Sequence, residues 1–530
     1  VNTVLSREAK TPTAWPSANI GEALSIQASR RPEAEAVVFG EKRIDFASLN
    51  ARALAIEEQL RELGLDKGEK VSVLFPNHPD FIAIFFAIAK IGAVVVPINP
   101  MLKSAEIAHI LSDSNSRSII VHDRLLPEVV AALPQIDGLQ FLIIAERESE
   151  LEVETTNNGL KLIDLSVQSK PAGPERPAAS IEPEKDLALL VYTSGTTGKP
   201  KGAMLTHRSL MSVFPFNIFS SLKLKSDERI LGLLPMCHIY GIGSLVSTPV
   251  ALGCTVVIMP KFEARAALDC IERERITLVP GVPAMYQFMM MEYEQKKVDL
   301  SALRYCLSAA APIAPEFLER IKREFNVEVV EGYGMSETAG GGTVNPPGAG
   351  KTGSIGIAIP EVSLAIMDAE SISALPPGPK NVGEIAIKGP CVMLGYHNQP
   401  DESAQAFNKD GWLLTGDLGY QDEDGYVFIV GRKKEMIIRG GQNIYPRELE
   451  EVILKMEGVQ DVAVIGVPDE LMGERVKAFV VTSAGVSLTA DAVKEFCSEK
   501  LAPYKVPRMV EFADELPRNS TGKLMKRMLK

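Results

Sequence analysis

Short β-rich runs alternate with amphipathic helical stretches along most of the chain, the pattern of a layered α/β fold. Residues 36–40 and 43–46 read as a hairpin turning at Gly40-Glu41-Lys42. Ser48 is expected to cap a helix with Leu54, Ile56, Leu60 and Leu63 on its apolar side, ending at Gly64. Residues 71–75 and 118–121 read as strands. Between them Ser104 opens a helix that carries Ile107, Ile110 and Leu111 on one face. The most apolar run is 81–97, but Lys90, Gly92 and Pro97 interrupt it short of the roughly 18 residues a membrane span requires. A buried helix followed by a buried strand fits it better. No repeat at a solenoid period is evident.

Two shifts of composition punctuate the pattern. Residues 169–185 hold four prolines and little apolar content, the mark of a surface connection. The basic, Gly-containing stretch 431–441 precedes a fresh helix after Pro446, with Glu448, Glu450 and Glu451 near its start. The remaining length to Lys530 suits one small α/β domain, so a boundary is expected at 431–434. At about 150 residues per domain, the 530-residue chain holds three or four units.

Composition is that of an ordinary globular enzyme, and the net charge of −12 argues against a general nucleic-acid surface. A converging set of cations and backbone amides for phosphate remains compatible with it. The six cysteines are scattered without a C-x-x-C pair, which gives no support to zinc or dithiol chemistry. They read as buried thiols of a reducing cytosol. Residues 1–16 lack an apolar segment of secretory type.

The strongest chemical signal is TSGTTGKPKG at 193–202, directly after the strand-like run 187–192. Hydroxyls at Thr193, Ser194, Thr196 and Thr197, glycines at 195, 198 and 202, and the ammonium groups of Lys199 and Lys201 make a phosphate-cradling loop. It is no Walker A loop, because the glycine spacing is too short and Pro200 stands where Ser or Thr would. Glu337 is a hard oxygen ligand suited to Mg²⁺, and its neighbour Ser336 can bond a phosphate oxygen. Alone, Glu337 would equally read as a solvated loop acid. Asp417 is an acceptor-only carboxylate fit for two ribose hydroxyls, with Arg432 as a companion. Thr-Gly-Asp is also common turn chemistry. No G-x-S-x-G or H-E-x-x-H motif competes.

The string at 191–202 resembles the signature of the adenylate-forming superfamily: acyl-CoA synthetases, adenylation domains and luciferases. Gly332-Tyr-Gly-Met-Ser-Glu-Thr338 is similar to its second motif and Leu414-Thr-Gly-Asp417 to its third. Gly431-Arg-Lys-Lys-Glu435 with Gly440-Gly-Gln-Asn443 resembles the hinge region, and Pro517-Arg-Asn-Ser-Thr-Gly-Lys523 the C-terminal lysine motif. All occur in family order.

The resemblance implies a large N-terminal domain (1–432) of two α/β/α subdomains with a β-barrel-like part. It also implies a small mobile α/β domain (433–530). It places ATP against Thr193, Ser194, Gly195, Thr196, Thr197, Lys199 and Lys201, with Ser336 and Thr338 near the phosphates. Adenine would lie by Ala310, Ala311, Pro312, Gly332, Tyr333 and Gly334, and ribose by Asp417 and Arg432. Glu337 would hold Mg²⁺, Lys523 would act on the α-phosphate, and His238 would lie between acyl group and phosphates. Lys434 is the implied hinge, and Gly440 and Gly441 the passage for the pantetheine arm of CoA.

An amino-acid substrate would need an acidic partner, and 235–243 contains none. An acyl pocket is expected from His238, Ile239, Tyr240, Tyr286, Ser308, Met335 and Gly341, with Gly340-Gly-Gly342 leaving one wall open. A medium- or long-chain fatty acid is the leading expectation, an aryl or alicyclic acid the next. Loading of a carrier protein, a luciferase-like oxygenation and ATP binding without turnover remain alternatives.

Overall fold

The computed structural model describes residues 17–146, 159–165, 175–193, 200–213, 222–368, 371, 373–440, 442–469, 471–483, 485–518 and 524–529. Two large, mostly parallel sheets form the body. The seven-stranded sheet runs Lys161–Leu165, Phe141–Ala145, Ser118–His122, Lys70–Leu74, Val94–Ile98, Leu187–Thr193, Lys201–Thr206, with only the last pair antiparallel. The nine-stranded sheet has at its centre Arg229–Gly232, Leu278–Gly281, Tyr305–Ser308 and Glu328–Tyr333, all parallel.

The helix Pro79–Lys90 explains how the two sheets join. It is apolar on every side and buried along its whole length, as such a helix must be. Its Phe81, Phe85 and Phe86 belong to one core that includes Val71 and Leu189 of one sheet with Val37 and Leu278 of the other. Lys90 ends the helix inside this core, with its ammonium 3.4 Å from Glu57 and 2.5 Å from Glu175. The expected buried helix and strand at 81–97 are therefore present. No described helix is long and apolar enough to cross a membrane.

Some local expectations are corrected. The helix after the hairpin spans Phe46–Glu62, and its cap is Asp45, whose carboxylate accepts from the Ser48 backbone N–H. Ser48 is thus a first-turn residue. A β-barrel-like part is not evident among the described residues, which hold a four-stranded antiparallel sheet in the order Ser363–Met367, Gly383–Lys388, Leu413–Gln421 and Val427–Arg432. The last sheet has five strands and lies within 437–512. It packs on the helices Pro446–Ile453 and Ala490–Ser498 around its own core of Ile444, Leu449, Val464 and Val493. All six cysteines are free and buried.

Candidate active site

Ligands of open α/β sheets bind beyond the carboxyl ends of their strands. Here the first two motifs leave such ends: 194–200 follows Leu187–Thr193, and 334–340 follows Glu328–Tyr333. Thr193 faces Lys201 across an antiparallel ladder. A Cβ at Gly202 would lie 2.9 Å from the Leu190 side chain and 3.1 Å from the Tyr192 ring, which fixes glycine there by packing. Ser194, Gly195, Thr196, Thr197 and Lys199 lie outside the described residues, as do Gly441 and Lys523.

Glu337 sits in a single turn, Ser336–Thr338, and is 7% exposed. The Thr338 hydroxyl accepts from the Met335 N–H (3.1 Å) and donates to the Met335 carbonyl (3.2 Å), so it shapes the turn rather than pointing a donor outward. Gly334 permits the fold-back, since a side chain there would collide with the Gly340 carbonyl. Among the described residues a single hydrogen bond reaches the Glu337 carboxylate, from the Tyr396 hydroxyl at 2.8 Å. Burial first, then the neighbouring Glu337 charge, raises the Tyr396 phenol and keeps it protonated. Lys201 lies over the Tyr396 ring, 5.4 Å from its centroid, and pairs with Glu402. Tyr396 and Glu402 carry no motif that sequence reasoning marked. Their signal is purely spatial.

The second buried carboxylate, Asp417, is 5% exposed. It accepts from the Tyr333 hydroxyl at 2.6 Å and pairs with Arg432 Nε at 3.0 Å, its partner across the strand ladder. The Tyr333 phenol is raised by burial first and Asp417 second. The preceding turn is held by Glu384, which accepts from the Gly416 N–H (2.9 Å) and pairs with Lys433 at 2.8 Å. This unmarked acid thereby ties the Asp417 turn to the residue before Lys434. Lys434 itself lies in the turn Lys433–Glu435. Beyond it, Lys526 anchors the chain end to Glu450 at 2.7 Å and Glu435 at 3.1 Å.

Ala310 takes φ +68°, a left-handed conformation costly for alanine, two residues after the strand Tyr305–Ser308. The Ser308 hydroxyl is buried without a partner among the described residues. His238 stands at the N-terminal boundary of the Ile239–Gly241 turn without a side-chain capping bond and reaches Asn99 Nδ2 at 3.4 Å, and burial lowers its pKa, favouring neutral imidazole. Tyr240 donates to the Leu307 carbonyl at 2.7 Å, which Tyr286 shares at 2.9 Å. Tyr286 is fully buried, with its hydroxyl also on the Val279 carbonyl, so it is a core residue that shares the Leu307 carbonyl with Tyr240. Ile239 is buried and Met335 half-buried against the same core. Gly341 packs on Val213 and Ile359, leaving no room for a Cβ, so its missing side chain opens no space in that direction. Gly440 has φ +57°, donates to the Met472 carbonyl at 2.8 Å and has the Met472 methyl 2.5 Å from where its Cβ would be.

Among the described residues no three His, Cys, Asp or Glu side chains are grouped to cage a metal. Mg²⁺ rarely needs such a cage, since it takes one or two carboxylates and completes its shell with substrate phosphates and water. A buried Glu337 held by one phenol fits that requirement.

Two family models match the chain: AMP-binding enzyme over residues 24–397 and AMP-binding enzyme C-terminal domain over 448–523. The chain is 35% identical over 533 residues to a long-chain-fatty-acid–CoA ligase of Bacillus subtilis, covering 97% of this chain and 94% of that protein. It is 38% identical over 510 residues to a feruloyl-CoA synthase of an Amycolatopsis species, covering 94% and 96%. Its fold matches ATP-bound MatB from Rhodopseudomonas palustris with a TM-score of 0.84 at 29% identity, covering 97% and 98%.

Proposed function

This chain belongs to the adenylate-forming AMP-binding enzymes, in their acyl-CoA synthetase branch, and we propose that its acid is an apolar monocarboxylate: a medium- or long-chain fatty acid first, an aryl or alicyclic acid second. The enzyme is an AMP-forming acid–CoA ligase with ATP and CoA as co-substrates. A carboxylate oxygen attacks the α-phosphorus of ATP and the bond to pyrophosphate breaks. The CoA sulfur then attacks the acyl carbonyl, and AMP leaves as the thioester forms.

The observation that carries the substrate proposal is the wall at 235–245. It presents Ile239, half-buried Tyr240 and neutral His238, backed by buried Ile242 and Leu245, and 235–243 holds no acid to pair with a substrate ammonium. The fatty-acid and feruloyl relatives, at 35% and 38% identity, support both members of the proposed class.

In the proposed site, Thr193, Ser194, Gly195, Thr196, Thr197, Lys199 and Lys201 bind the phosphates. Ala310–Pro312 and Gly332–Gly334 flank adenine, while Asp417 and Arg432 take the ribose. Lys523 stabilises charge on the reacting α-phosphate, a preorganised electrostatic role. Mg²⁺ bound with the nucleotide would neutralise the departing pyrophosphate. Lys523 and the CoA thiol need the same centre in turn, which calls for reorientation of a domain beginning near 433 about Lys434. Gly440 and Gly441 would then border the pantetheine arm.

The test is a panel of fatty, aryl, alicyclic and amino acids, assayed for AMP release with and without CoA and for acyl-CoA by mass. Apolar acids should give CoA-dependent AMP. Selective turnover of amino acids, or transfer only to a pantetheinylated carrier protein, would refute the proposal.

A further inference from the structure

We infer that Tyr396 is a positioning residue of the adenylation site, orienting the Glu337 carboxylate through its hydroxyl. The inference rests on the proposed metal-side role of Glu337.

Tyr396 is fixed from several sides. The segment 393–397 adds an antiparallel edge to the strand Lys201–Thr206: Leu394 N–H bonds the Met204 carbonyl (2.9 Å), Met204 N–H bonds Gly395 (3.0 Å), and His397 N–H bonds Gly202 (2.8 Å). On its other side the Met393 N–H bonds the Glu337 backbone carbonyl at 2.8 Å. The Tyr396 N–H is held by the Ser403 hydroxyl at 2.8 Å, and Ser403 in turn donates to Gln399 at 2.7 Å. One short segment therefore braces the phosphate-motif strand against the Glu337 turn, and Tyr396 stands where the two meet. Its ring carries Lys201 and its hydroxyl bonds Glu337 Oε1.

A carboxylate has about four acceptor sites. Occupying one with a rigid phenol fixes the plane of the group and leaves the rest for a cation. Partners that orient a metal ligand in this way are worth roughly ten- to a hundredfold in metal affinity. Glu337 has no cationic neighbour among the described ion pairs, so the phenol is the group that sets its direction.

The full-length chain would be compared with Tyr396→Phe, Glu337→Gln and the double variant. Calorimetric ATP binding would be measured with and without Mg²⁺, beside the Mg²⁺ dependence of acid-driven pyrophosphate exchange. Phe keeps the ring beneath Lys201 and removes only the donor. In Tyr396→Phe, Mg²⁺-free ATP affinity should stay within about twofold, while half-maximal exchange should need roughly tenfold more Mg²⁺. Its gain in ATP affinity on adding Mg²⁺ should shrink. Glu337→Gln should abolish that gain, and adding Tyr396→Phe to it should change nothing further. If Glu337→Gln loses the gain while Tyr396→Phe keeps the parent's Mg²⁺ dependence, the positioning inference is overturned and the reading of Glu337 stands. A slower Tyr396→Phe with unshifted Mg²⁺ dependence also overturns it. If Glu337→Gln keeps the gain, the reading beneath the inference is wrong and both fall.

Discussion

Two carboxylates in the candidate site are built almost alike and differ in one partner. Asp417 and Glu337 are 5% and 7% exposed, and each accepts a hydrogen bond from a half-buried tyrosine, Tyr333 at 2.6 Å and Tyr396 at 2.8 Å. Asp417 also has a guanidinium at 3.0 Å. Glu337 has no such partner among the described residues, because the nearby ammonium of Lys201 pairs with Glu402 instead. A buried charge without a counter-charge is costly. Among the described residues Asp417 is thus balanced by a cation and Glu337 is not, a difference that matches the proposed roles, neutral hydroxyls for the first and a cation for the second.

The largest expected effect follows from that imbalance. Glu337→Gln should lower acid-dependent pyrophosphate exchange at least about a hundredfold at fixed Mg²⁺, since an amide is a poor ligand for a hard cation. The same variant should be as stable as the parent or more so, because it removes a buried charge with no cationic partner among the described residues. Exchange rates over a Mg²⁺ series and thermal melts check both halves. A normal rate at ordinary Mg²⁺ would break the contrast between the two acids.

Asp417→Ala should behave in the opposite sense. It leaves the Tyr333 hydroxyl and Arg432 without their acceptor. Half-exposed Arg432 recovers water, so the stability loss should be about 1–3 kcal/mol by urea denaturation. The apparent KM for ATP should rise roughly tenfold or more through lost ribose contacts, with the Mg²⁺ requirement unchanged. Equal shifts of Mg²⁺ and ATP dependence in both variants would mean that the two carboxylates share one role.

Much of this contrast was legible in the sequence, though only one half of each pair. Glu337, Asp417 and Arg432 stand inside contiguous strings whose chemistry can be read residue by residue. Tyr396, Glu402 and Glu384 are 59, 201 and 49 positions from the residues they hold, and no local pattern encodes such contacts. The alternation of strands and helices was legible because burial repeats with each element's period. The cap at Asp45 was missed because Asp and Ser three residues apart offer the same chemistry, and only the turn geometry chooses between them. Gly341 misled for a related reason: a missing side chain opens space only if no neighbour fills it, and Val213 and Ile359 do. Tyr286 reads equally as pocket or core until its hydroxyl is seen on two backbone carbonyls.

A third acid sharpens the comparison with the smallest effect. Glu331 lies two residues before Tyr333 on the same strand, half-buried, with neither phenol nor ion pair on its carboxylate among the described residues. Burial raises its pKa to about 7, opposed only weakly by Arg447 and Lys322. The sign of its effect on stability follows from proton uptake. Below about pH 4.5 the acid is protonated whether folded or unfolded. Between there and about 7 the unfolded chain ionises first, so the folded state holds more protons and loses stability as pH rises. Above 7 the loss is complete. Glu331→Gln removes the titration, so it should stabilise the enzyme by about 1–2 kcal/mol at pH 8 after allowance for partial exposure, and by almost nothing at pH 4.5. Urea melts of parent and variant at both pH values measure this. A benefit that is equal at the two would show that Glu331 is solvated like a surface acid, and that burial alone does not separate the three carboxylates.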